Sequence, residues 1–153
     1  MTDDGARTLQ IEEQSRVPWD AVILGWGPVL PFPLATIWLW FGGPDVLRPS
    51  MHLWGAAIPL FLSGVRRGLS FRMPGGWTWS QLAMFAWLFW AGFLALILPV
   101  GPAFALLSVI YASLAVLDPI AADRAEAPLW FRRLRPAQMG IAALGLAGLW
   151  WLS

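Results

Sequence analysis

The sequence predicts an all-α polytopic membrane protein: a bundle of five transmembrane helices, N-terminus cytoplasmic and C-terminus periplasmic. Three observations predict it. Of 153 residues, 58% are hydrophobic and 12% charged, with a mean hydropathy of +0.62. A water-soluble domain of this size needs far more charge to cover its surface, so lipid must solvate most of these apolar residues. The apolar residues also fall in charge-free runs long enough to cross a bilayer, and the arginines gather at alternate ends of those runs. Composition excludes much chemistry as well. The chain has no cysteine and one histidine, His52, so thiolate sites, disulfides and multi-histidine metal centres are ruled out. A net charge of +1 gives no reason to expect nucleic acid as a partner.

Residues 1–18, with Asp3, Asp4, Arg7, Glu12, Glu13 and Arg16, read as a polar cytoplasmic tail ahead of a membrane domain over 19–153. The tail begins acidic and leads into a full-length span, so no cleaved signal peptide is expected. The first span covers about 20–41 and contains the 21 uncharged residues from Ala21 to Phe41. A helix needs roughly 20 residues to cross. Pro28, Pro31 and Pro33, beside Gly25 and Gly27, must break its hydrogen-bond ladder near the middle. The second span, about 50–71, has 15 uncharged residues from Met51 to Val65 and must continue through Arg66 and Arg67 to reach full length.

From Met73 to Leu117 there are 45 residues without a charge, enough for two spans, about 79–98 and 102–118, turning at Pro99 to Pro102. A charged loop from Pro119 to Arg135 follows. The 17 residues from Pro136 to Leu152 give the fifth span, about 136–152.

All ten basic residues are arginine, and on this topology nine lie on one side and only Arg48 on the other. The positive-inside rule therefore puts the N-terminus and the loops after spans two and four in the cytoplasm. Most of the 12 tryptophans fall at the two interfaces, where indole prefers to sit.

Arg66 and Asp118 end apolar spans at the same side, where an unpaired charge costs a few kcal/mol on insertion scales. An ion pair between Asp118 and Arg66, or failing that Arg67, is expected. It reads as structural, or as an anion or headgroup site or proton-linked switch. Trp130, Arg132, Arg133 and Arg135 suit anionic lipid phosphates or a partner surface, and also serve as a topology signal. Gly64 and Gly68, four apart in span two, and Gly140, Ala143 and Ala147 on one face of span five, are the small residues expected to allow close helix packing. Ser63, Ser70, Ser108 and Ser113 have no histidine base, and they are expected to bond to carbonyls of the preceding turn. His52 has no second histidine with which to hold haem. No catalytic residue, metal or cofactor is expected.

Three stretches carry a resemblance. Gly25, Gly27, Leu30, Pro31 and Phe32 form the first, Phe61 through Gly68 the second, and Asp118 through Pro128 with Trp130, Arg132, Arg133, Leu134 and Arg135 the third. Over about residues 18–150 the chain resembles the bacterial domain-of-unknown-function family 3429, related to mitochondrial transmembrane protein 69. It departs from that family's pattern at Arg67, where an aromatic residue is common. The resemblance implies a five-helix inner-membrane protein and no particular reaction.

With no catalytic groups and several small-residue faces, the expected role is contact with lipid and with another integral membrane protein, as an accessory subunit or assembly factor. A small-solute transporter or channel is the alternative, motivated by the broken first span and Arg66.

Overall fold

A computed structural model describes residues 16–71 and 75–153, and all regular structure among them is helical. The expected tail, apart from its last three residues, and Arg72 lie outside the described residues. Among the described residues six helices occur: α1 Trp19–Trp26, α2 Pro31–Trp40, α3 Leu47–Ser70, α4 Trp79–Ile97, α5 Val100–Asp123 and α6 Phe131–Trp151. Three of the described stretches are long and apolar enough to cross a membrane: Trp19–Trp40 (α1 and α2 together), α4 and α5. The α3 and α6 helices are as long, but their arginines lower their mean hydropathy.

The prolines split the first segment into α1 and α2. Pro31 and Pro33 sit in the first turn of α2, where a missing N–H costs little. The carbonyl of Pro28, in the intervening turn, accepts a hydrogen bond from the Trp54 indole N–H of α3 at 2.9 Å. Past the break, α2 packs closely on α6, while α1 buries no residue and leaves a gap toward α3.

With α1 and α2 taken as one segment, the helices alternate in direction. One end of the bundle gathers the starts of α1, α4 and α6 with the ends of α3 and α5. At the other end Arg48, at the start of α3, bonds to the carbonyl of Leu152 after α6 at 3.0 Å. The α5–α6 pairing is the most extensive, followed by α3–α4. Phe32, Phe104, Leu107, Ile110, Tyr111, Met139, Leu146 and Leu149 form the centre of the core. Phe32 meets Tyr111 edge-on at 5.4 Å, and the Tyr111 hydroxyl donates to the Gly55 carbonyl of α3 at 3.1 Å.

Two boundaries differ from expectation. The α5 helix runs past Asp118 and through Pro119 to Asp123, and α6 begins at Phe131, before Pro136. The charged loop shrinks accordingly to the segment between Asp123 and Phe131. A second small cluster, Ala121, Ala122, Ala127 and Phe131, buries these extra turns against one another, and that burial outweighs the two prolines.

Close packing also uses different glycines from those expected. A Cβ on Gly145 of α6 would lie 2.6 Å from the Pro33 nitrogen, and one on Gly148 would lie 2.4 Å from Thr36 Cγ2. The Thr36 hydroxyl donates to the Gly145 carbonyl at 2.7 Å across this contact. Gly64, Gly68 and Gly140 would meet nothing within 4 Å. Ala143 is buried inside the chain's own α5–α6 interface, where its carbonyl accepts from Ser108 at 2.9 Å, and Ala147 is half-buried.

Candidate functional site

Three charged side chains meet inside the bundle, near the end that holds the start of α6. On α5, Leu107, Tyr111, Leu114 and Asp118 recur at spacings of three and four, so the helical period places the carboxylate on the stripe that carries the core. On α3, Ala56, Pro59, Ser63, Arg66 and Ser70 repeat the same spacing and aim Arg66 inward. Asp118 has no exposed surface, and Arg66 Nη2 donates to its Oδ1.

A third member comes from α6. Arg135 Nε lies 3.4 Å from Asp118 Oδ2, an ion-pair distance without hydrogen-bond alignment, so that contact is Coulombic. The Phe131 ring lies against both guanidiniums, with its centroid 5.9 Å from Arg66 Cζ and 4.4 Å from Arg135 Cζ. Two guanidiniums on one carboxylate leave the cluster with one net positive charge.

The arginine-rich stretch therefore divides. Arg135 turns into the bundle, while Arg132 and Arg133 are exposed. Arg132 Nη1 bonds to Asp123 at 3.1 Å on the surface. Trp130 precedes α6 and packs edge-on to Phe131, with centroids 4.5 Å apart. Arg67 takes no part in the cluster. Its Nη1 donates to Ser70 Oγ at 3.3 Å, and its guanidinium covers the Phe71 ring.

A cavity flanks the cluster on each side, and both lie in the same half of the bundle. One, of about 290 Å³, is bounded by α3, α4 and α5 and takes in Arg66, Gln81, Arg124 and Glu126. Glu126 accepts from the hydroxyls of Thr78 at 2.8 Å and Ser80 at 3.0 Å. Its position follows from the end of α5. There Ala125 takes a left-handed conformation, and the N–H groups of Ala125 and Glu126 return to the carbonyls of Ala122 and Ala121. The other cavity, of about 490 Å³, lies between α1, α3 and α6 and takes in Asp20, Gly25, Phe61, Trp130, Arg135 and Gln138. Gln138 is fully buried, and neither of its amide atoms has a hydrogen-bond partner.

The sequence alone does not mark Gln138, Gln81 or Glu126 as site residues. A glutamine inside an uncharged span is the available signal for Gln138. For Gln81 it is the Thr-x-x-Gln spacing, which here forms a reciprocal cap at the start of α4. Ser63, Ser70 and Ser113 bond to carbonyls three residues back, whereas Ser108 reaches across to α6. His52 Nε2 lies 2.7 Å from the Ala95 carbonyl, tying α3 to α4. Among the described residues, no group of His, Cys, Asp and Glu could hold a metal. No family model, curated protein or solved structure matches the chain.

Proposed function

We propose that the chain crosses a bacterial inner membrane five times, N-terminus inside, and works by contact with lipid and with another integral membrane protein, not by turnover. The crossings are supported by the outer surface. Large apolar side chains are exposed on every helix, among them Leu24, Ile37, Phe61, Trp90, Val109 and Leu144, and an exterior of that kind suits lipid better than water. Phe61 and Leu144 belong to α3 and α6, so these helices present the same face as the more apolar ones. Their arginines pair, turn inward or stay near the helix ends.

The contact reading is carried by Gly64 and Gly68. Glycines that meet a neighbour in this bundle, such as Gly55, Gly92 and Gly145, sit at its internal helix contacts. Gly64 and Gly68 point outward on α3 with open space beside them, spaced to admit a helix from another chain.

Transport is the second reading, favoured by the two cavities beside Asp118. Both open in the same half of the bundle.

Native electrophoresis after mild detergent extraction tests the choice. The wild-type protein should migrate in an assembly larger than its own micelle. Replacing Gly64 and Gly68 together with leucine should release it as a folded bundle of unchanged helicity. If wild type and variant migrate alike, the contact reading fails. Solute flux in proteoliposomes containing this protein alone, abolished by Arg66→Ala, would establish transport instead.

A further inference from the structure

We infer that the cavity between α1, α3 and α6 holds one anionic phospholipid, with its phosphate at Arg135 and Gln138 and an acyl chain leaving along α3. The inference rests on the five-span topology proposed above, but not on a protein partner at Gly64 and Gly68.

Three observations carry it. Gln138 has no exposed surface, lines the cavity, and keeps both amide atoms without a partner. A buried amide left unpaired costs about 1–3 kcal/mol, so an occupant that bonds to it is stabilised correspondingly. Arg135 lines the same cavity and its Nε lacks a hydrogen bond, while its cluster with Arg66 and Asp118 is one negative charge short of neutral. A phosphate diester would supply that charge and acceptor oxygens. Among the described residues, Asp20 at the rim is the one acid lining the cavity; it is exposed, so water screens it more than the buried cluster.

The remaining walls suit a hydrocarbon tail. Ile58, Phe61, Leu62 and Val65 form one apolar side on α3, and Leu24 and Met139 face the same space from α1 and α6. Phe61 continues onto the outer surface, so the chain can leave the cavity without crossing a polar boundary. The gap exists because the proline break sends α2 onto α6 and leaves α1 standing off from α3. On the proposed orientation, Trp130 and the start of α6 lie at the depth of the inner-leaflet headgroups.

Native mass spectrometry of the detergent-purified protein, titrated with phosphatidylglycerol, phosphatidylcholine or inorganic phosphate, tests this. Wild type should retain one phosphatidylglycerol and release phosphatidylcholine at lower activation energy. Gln138→Leu should weaken retention about tenfold. Ile58→Trp, which fills the tail groove but leaves the polar groups intact, should also weaken it, and Arg48→Gln at the opposite end of the bundle should not. Equal retention of the two lipids, or equal loss in Arg48→Gln and Gln138→Leu, would overturn the inference. Displacement of the lipid by inorganic phosphate at matched concentration would show that the cavity takes free phosphate and not a lipid. Loss of lipid specificity with the native assembly intact would leave the contact role standing, and the converse would leave the lipid site standing.

Discussion

Replacing Asp118 with alanine should cost about 3–5 kcal/mol of stability, the largest effect expected of any single substitution here. The carboxylate is fully buried and holds Arg66 and Arg135 from two other helices. Without it, two guanidiniums share a low-dielectric site with no counter-charge, and either they drag α3 and α6 apart or water enters. Thermal unfolding in detergent, followed by circular dichroism, should show the loss directly. Replacing all three together, Arg66→Met, Asp118→Leu and Arg135→Met, should recover most of it, because apolar groups of similar volume remove the desolvation cost along with the attraction. If Asp118→Ala is as stable as wild type, the cluster does not hold the bundle together.

Gly145→Leu should cost about 3 kcal/mol by a different route. The first carbon of any side chain at this position falls 2.6 Å from the Pro33 nitrogen and 2.8 Å from the Phe32 carbonyl carbon, and backbone atoms cannot rotate away. The α2 helix must lift off α6 and break the bond from Thr36 to the Gly145 carbonyl. Ala143→Leu should also destabilise, since Ala143 is buried against α5. Gly140→Leu, with open space around it, should stay within about 0.5 kcal/mol of wild type. Equal effects at Gly140 and Gly145 in the same unfolding assay would contradict the α2–α6 packing.

These two sites differ in how much of them the sequence reveals. Arg66 and Asp118 are legible because each ends an apolar run at the same side, and charges there need a partner. Arg135 is not legible in the same way. Within Arg132, Arg133 and Arg135 nothing local distinguishes one arginine from another, and only the rotational phase of α6 selects the inward one. That phase depends on α6 starting at Phe131, which in turn depends on Phe131 packing against Ala121 and Ala122 on a different helix. The end of α5 is hidden for a related reason. Pro119 after a charge reads as a helix boundary, yet Asp118 is neutralised from α3 and α6, so the helix can continue. Glycine spacing shows where helices can approach closely and not whether a neighbour is present, which is why Gly64 and Gly145 look alike in sequence and differ in structure. The break in the first span needed no tertiary information, since three prolines and two glycines exclude a continuous ladder.

The depth of the Asp118 cluster, the lipid cavity and the outward face of α3 all depend on five crossings with the arginine-rich end inside. The chain has no cysteine, so single introduced thiols report on this without background. Ser50→Cys, at the start of α3, and Ser153→Cys should react with a membrane-impermeant maleimide in intact spheroplasts. Arg16→Cys and Arg133→Cys, at the opposite end of the bundle, should react only after permeabilisation. Labelling of Arg133→Cys from outside, or of Ser50→Cys and Arg133→Cys from the same side, would contradict the topology on which the proposed function is built.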